Sequence, residues 1–337
     1  MEKQYTARDR IEAAFNREYT DRVPVTFLAS SLFGARLAGF DIKEMATDPD
    51  KNAKSILKYH QMFGPDYIII STAGDPRGVG ASTRAEGHRF ADKSALYQMR
   101  PPDPTKRSQV VLHMMEVCEK VLSEVNDTPV GSGFFGPWST AMTMRGDEQL
   151  LLDTGDDPKF VHDLMQFTTA LTRRALDGMN EIGVELWMFE PSASCSLVSP
   201  RIYRLFIKPY HEELVNYFKG RGRGISLHMC GYLDPIMEDV VTTGIEAISL
   251  DAPSSLKRMV EVSQKRVVVI GNVETSLFVE GTKEQIEKAV KDCIAVGAEG
   301  SAYILASGCE VPDNAPLENV RHFLDAGRQY GRRQKAS

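Results

Sequence analysis

Short apolar runs alternate with longer amphipathic stretches along this chain. The clearest run is "DYIIIS" (66–71), continuously apolar and bounded by polar residues, as in a strand buried on both faces. Similar runs are "RVPVTFLAS" (22–30), "TPVGSGFFG" (128–136), "VELWMFE" (184–190), "GISLHM" (224–229), "EAISLD" (246–251), "RVVVIGNV" (266–273) and "SAYILAS" (301–307). The stretches around them have helical spacing. "DRIEAAFNRE" (9–18) is amphipathic, and 200–220 follows Ser199 as an N-cap with Pro200 in its first turn. The segment 233–244 stops at a glycine. Thr282 and Gln285 form a capping box for 282–297, whose apolar positions 286, 289, 290, 293 and 294 share one face.

Strands alternating with helices predict a parallel sheet. Eight strands are the number that closes a (β/α)8 barrel, and an open doubly wound sheet is the other architecture of this kind. No repeat, low-complexity tract or linker divides the chain, so residues 1–337 are expected to form one barrel domain. The stretch 72–105, rich in Gly, Arg and Pro, is expected to be an excursion over one end of it.

Composition narrows the function. A net charge of −6 on 337 residues offers no bulk attraction to nucleic acid or anionic lipid. The basic runs "KGRGRG" (219–224) and "RQYGRRQK" (328–335) fall beside predicted helix ends, where cations meet the negative pole of the dipole. No apolar run approaches the roughly 18 residues of a membrane span, and the charged start lacks a signal-peptide core. A cytoplasmic location is expected. Five cysteines, an odd and sparse set, suit free thiols or metal ligands better than a disulfide frame.

Barrel enzymes build their sites at the C-terminal ends of the strands. Here these ends carry Glu190, His228 with Cys230, Asp251, Asn272 and Cys309. His228 and Cys230 are two apart and share a face if the strand persists. They read as packing, as a redox pair or as metal ligands. His, Cys and Cys is a donor set that suits Zn²⁺, leaving one position open, with Glu190 a fourth ligand or a nearby acid/base. Asp251 and Asn272 are candidates for catalysis or for bonding the βα loops. Cys118, Cys195 and Cys293 read as packing. There is no GxSxG elbow and no nucleotide-binding glycine loop.

The chain resembles the uroporphyrinogen decarboxylase superfamily, and within it the zinc-dependent corrinoid methyltransferases, such as the methylcobamide:coenzyme M and O-demethylase types. The resemblance rests on "RVPV", "GPWSTAMTMRG" (136–146), "EPSASCSLVSPRIYRLFIKPY" (190–210), "LHMCGYLDPIMEDVVTTGIEAISLD" (227–251), "IGNVETSLFVEGTKEQIEKAV" (270–290) and "ASGCEVPDNAPLENVRHF" (306–323). It implies a (β/α)8 barrel and zinc held by His228, Cys230 and Cys309, with Glu190 acidic nearby. It also implies methyl transfer between a small molecule (a methoxy-aromatic compound, methanol, a methylamine or a thiol such as coenzyme M) and a corrinoid, cobalamin-like cofactor. The chain shows no Asp-x-His-x-x-Gly corrinoid segment, so a separate corrinoid protein is the expected partner, with Arg77, Arg84 and Arg89 of the excursion as candidate contacts. Two other activities are weighed. The decarboxylase proper grips its tetrapyrrole with an Arg-Gln-Ala-Gly-Arg stretch. The corresponding "FLASSLFGARLAGF" (27–40) keeps only Arg36, and Asp75 alone lies near the end of the second strand. A non-catalytic corrinoid-handling module would bind the same partner without changing its methylation.

Overall fold

A computed structural model describes residues 4–29, 31–71, 88–100, 102–103, 105–300 and 302–332. Seven strands, β1 (Ile68–Ile70), β2 (Val130–Phe135), β3 (Glu185–Phe189), β4 (Ile225–Met229), β5 (Ala247–Leu250), β6 (Val268–Val273) and β7 (Tyr303–Ser307), pair in sequence order. Every pairing is parallel. All seven lie within the runs expected as strands.

The eighth, 22–30, behaves differently. It forms no ladder strand, only a single parallel bridge between Val25 and Leu305. Its bonds nevertheless reach both edges of the sheet. Leu305 N–H donates to Pro24 O at 3.0 Å and Thr26 N–H to Leu305 O at 2.9 Å, while Asp66 N–H donates to Val25 O at 2.8 Å. Two local features prevent a regular ladder. Pro24 has no N–H to give. The Val25 N–H is taken by the Asp66 carboxylate at 2.8 Å instead of a backbone carbonyl. That carboxylate, only 2% exposed as a residue, also receives Arg22 Nη2 at 2.8 Å and Arg10 Nη1 at 3.3 Å.

The sheet curls around an inner apolar cluster. Leu28, Tyr67, Ile69, Trp187, Phe189, Ala247, Val268, Ile270, Ile304 and Ala306 fill it, and Cys309 packs against it. The helix Ala7–Asn16 adds Ile11 and Ala14, so its apolar face meets the same interior. β2 adds only Phe135 at the border of this cluster and leaves room at Gly131. A Cβ on Gly131 would stand 2.5 Å from the Trp187 indole nitrogen, which donates to Tyr67 Oη at 2.9 Å. The second, larger cluster lies between the sheet and its helices.

The expected helices are present. Thr282 caps Lys283–Gly297 with the capping box, and Ser199 accepts from Ile202 N–H at 3.2 Å. The run 200–220 is interrupted, however: Tyr203–Ile207 is a π-turn before Lys208–Lys219 continues. Pro209 explains the break, because it has no N–H for the carbonyl four residues back and its ring crowds that carbonyl. The segment 233–244 starts as a 3₁₀ turn (Asp234–Ile236) before Met237–Thr242. Within the excursion at 72–105, residues 72–87, including Arg77 and Arg84, lie outside the described residues. Residues 88–100 carry the helix Ser94–Gln98 and dock on the helix Pro137–Arg145, where Arg145 Nη1 donates to Phe90 O at 2.7 Å. Among the described residues no helix is long and apolar enough to cross a membrane.

Candidate metal centre

Strand register begins the site. β4 is buried throughout, and His228 is opposite Phe189 of β3 on one side and Ser249 of β5 on the other. Cys230 is the first residue past β4, and Gly231 follows with φ +82°, turning the chain at once. Cys309 lies two residues past β7. β4 and β7 are three places apart in the sheet, so only its curl lets residues 79 positions apart meet.

They do meet. His228 Nε2 is 3.2 Å from Cys230 Sγ and 3.9 Å from Cys309 Sγ, and the two sulfurs are 3.7 Å apart. Among the described residues these three form the one group of potential ligands within 4.8 Å of one another. A tetrahedral zinc ion with ordinary bond lengths would space two sulfurs about 3.8 Å apart and a nitrogen about 3.6 Å from each. The observed triangle has that size. The hydrogen bond with Cys230, aided by His228, lowers the Cys309 thiol against the opposing effect of burial. The same hydrogen bond, followed by burial, pushes the Cys230 thiol far up. A dication entering the triangle would displace the protons that the two thiols hold.

Glu190 does not join the triangle. It is fully buried, and its carboxylate faces the start of the helix Pro137–Arg145. Oε1 accepts from Trp138 N–H at 3.0 Å, and Oε2 accepts from Ser139 N–H at 2.9 Å and Ser139 Oγ at 2.6 Å. His211 Nε2 lies 3.2 Å from Oε1, and Tyr203 Oη is 3.4 Å from the other nitrogen of that ring. The carboxylate thus faces four polar partners away from the triangle. The expectation of a fourth ligand came from its place at a strand end. The backbone donors of the preceding βα loop, invisible in sequence, account for where it points.

Asp251 and Asn272 hold loops. Asp251 Oδ2 accepts from Gly231 N–H at 2.8 Å and Oδ1 from Ala252 N–H at 2.7 Å. Asn272 Nδ2 donates to Ser254 O at 2.9 Å and Asp251 O at 3.2 Å. Three further participants escaped the sequence reading. Ser249 Oγ is 3.1 Å from His228 Nδ1 and fully buried. His211 sits behind Glu190. Glu310, next to Cys309, accepts from Leu32 N–H at 3.1 Å, and burial pushes its carboxyl up. Ser249 was findable in principle, being two residues before Asp251 on the same strand face. Beside Asp251 opens a recess of about 370 Å³ lined by Ala252, Pro253, Glu274 and Thr275. The remaining cysteines, Cys118, Cys195 and Cys293, are free thiols outside the triangle.

The chain is 26% identical over 344 residues to the methylcobamide:CoM methyltransferase MtbA of Methanosarcina acetivorans, covering 97% of this chain and 99% of that protein. It is 25% identical over 353 residues to the uroporphyrinogen decarboxylase of Mannheimia succiniciproducens, covering 96% and 97%. Among solved structures, a methyltransferase from Methanosarcina mazei superposes with a TM-score of 0.86 at 22% identity, over 97% of this chain and 99% of that one, a likeness of fold. The sequence model of the uroporphyrinogen decarboxylase (URO-D) family matches residues 6–330, and the chain belongs to that family.

Proposed function

We propose that this chain is a cytoplasmic methyltransferase that moves a methyl group between a small molecule and the corrinoid of a separate protein, using zinc held by His228, Cys230 and Cys309. In this reading the whole chain is one (β/α)8 barrel, with residues 23–28 as the member that closes the ring between β7 and β1. The observation that carries the proposal is the triangle of Nε2 and two sulfurs, of zinc-binding size, at the strand ends. The naming of its full-length relatives as methylcobamide:CoM methyltransferases supports the reaction class.

Zinc bound there would supply an open, electrophilic position for a thiol sulfur or an ether or alcohol oxygen. The chain's own residues do the rest. Two cysteines and one neutral imidazole leave the ligand set with a net negative charge that offsets the dication. His228 presents Nε2 because Nδ1 faces Ser249. Glu190 locks the helix Pro137–Arg145 behind the rim, so the wall at the end of β3 stays rigid. The recess lined by Asp251 and Glu274 gives room for a small molecule beside the Asp251 loop. Methoxy-aromatic compounds, methanol, methylamines and thiols are the donors and acceptors to screen.

The decarboxylase reading has a specific observation on its side, the near-full-length match to an enzyme of that name. Against it stands the region expected to grip carboxylates. Its one arginine, Arg36, already donates to Ala315 O at 2.6 Å and lies over the Phe33 ring. A tetrapyrrole would find no free cation there among the described residues 27–40.

The test is direct. The pure protein should hold about one zinc per chain, and with a reduced corrinoid protein and a methylated substrate it should convert Co(I) to methyl-Co(III), read by absorbance. His228→Ala or Cys309→Ala should abolish both. A metal-free protein that decarboxylates a porphyrinogen would reverse the assignment.

A further inference from the structure

We infer that β5 presets the metal ligands of β4: Ser249 and Asp251 are positioning residues, one for each ligand of the His-x-Cys pair. This rests on the metal reading above and adds residues that touch no ion themselves. Ser249 lies in β5 with Asp251 just past its end, as His228 lies in β4 with Cys230 just past its end. The register sets Ser249 directly against His228. For Nε2 to offer its lone pair into the triangle, the ring proton must sit on Nδ1, and among the described residues Nδ1 meets Ser249 Oγ at 3.1 Å. Ser249 is fully buried and His228 3% exposed, so water does not stand in for that hydroxyl.

Asp251 acts on the second ligand through the backbone. Its Oδ2 accepts from Gly231 N–H, the peptide immediately after Cys230, which fixes where the turn leaves the strand. Its Oδ1 bonds Ala252 N–H. A Cβ on Gly308 would stand 2.9 Å from Ala252 N and 3.3 Å from Asp251 Oδ1, so the loop carrying Cys309 rests on the same group. Asn272 of β6 in turn holds the Asp251 carbonyl. The arrangement runs β6 to β5 to β4, each strand steadying the next, and it delivers the imidazole and both sulfurs without help from Glu190.

The experiment is zinc affinity, read by competition with a chromophoric chelator, in the full chain and in Ser249→Ala, Ser249→Thr and Asp251→Asn. Removing a partner that orients a ligand typically weakens metal binding by about 10–100-fold. We expect that loss for Ser249→Ala, and recovery in Ser249→Thr, which keeps a hydroxyl. Asp251→Asn should weaken binding too, because an amide can present only one acceptor atom to two N–H groups. The cobalt(II)-substituted variants should show shifted d–d bands. Melting of each metal-free variant separates a folding defect from a ligand defect: a purely packing role lowers melting and leaves zinc affinity alone, which overturns the inference. So does a Ser249→Ala protein that binds zinc like the parent. A parent chain that takes up no zinc overturns the metal reading, and this inference with it.

Discussion

At the scale of single residues, the buried carboxylate of Glu190 shows how position and role can part. It stands at a strand end beside the site, yet it serves a helix start. Glu190→Ala would leave two peptide N–H groups, a hydroxyl and His211 without their acceptor in a dry interior. Losing one partner of a buried charged network costs about 3–5 kcal/mol, so a clear fall in urea midpoint is expected. Glu190→Gln keeps one acceptor and should cost less. In both folded variants zinc content should stay near one per chain. If zinc is lost while the fold survives, Glu190 belongs among the ligands after all. Glu246, just before β5, carries a charge effect of the opposite kind. Burial pushes its carboxyl up, more than Arg17 and Arg223 pull it down. A raised acid prefers its proton in the folded state, so ionising it costs stability as pH rises from its unfolded value through its folded one. Glu246→Gln should therefore raise the melting temperature at pH 7 and change it little near pH 4.

At the scale of elements, the weak points of the sequence pattern have physical causes. β2 reads poorly as a strand because two of its residues are glycines, and the tertiary structure supplies the reason: Trp187 lies where the side chain of residue 131 would be. Gly131→Val should overpack this spot and lower stability by about 1–3 kcal/mol, measurable by denaturant unfolding. Segment 22–30 reads as a strand but is pinned by side chains. Asp66 binds Val25 N–H and two arginines at once, so Asp66→Ala strips the largely buried Arg22 guanidinium of its carboxylate and leaves Arg10 with Asp21 alone at the junction of β7 and β1. A loss of about 3–5 kcal/mol is expected, with early hydrogen exchange in residues 23–28 as its signature. Helix 200–220 was legible in its cap and length. Its π-turn was not, although Pro209 marks the place.

At the scale of the molecule, the candidate metal ties together two loops that the sheet already brings near. Most of the inner cluster is apolar and does not involve the ligands. Chelation should therefore remove activity and leave the far-UV circular dichroism intact, with recovery on adding zinc. Ligand binding to the folded state alone adds about 4 kcal/mol at a thousandfold excess over the dissociation constant. Zinc should accordingly raise the melting temperature of the metal-free parent and do nothing for His228→Ala.

Periodicity alone was enough to mark seven of the strands, the capped helices and the residue types at the strand ends, because these are local properties of two-residue and 3.6-residue repeats. His228 and Cys230 were legible as a pair for the same reason. What a linear reading could not supply was direction. Whether Cys309 returns to β4, whether Glu190 faces an ion or a helix, and that Ser249 stands behind the imidazole all depend on how far the sheet curls and on which backbone N–H groups the neighbouring loops leave exposed. Those are distances between parts of the chain that share no local interaction, and folding in three dimensions is what sets them.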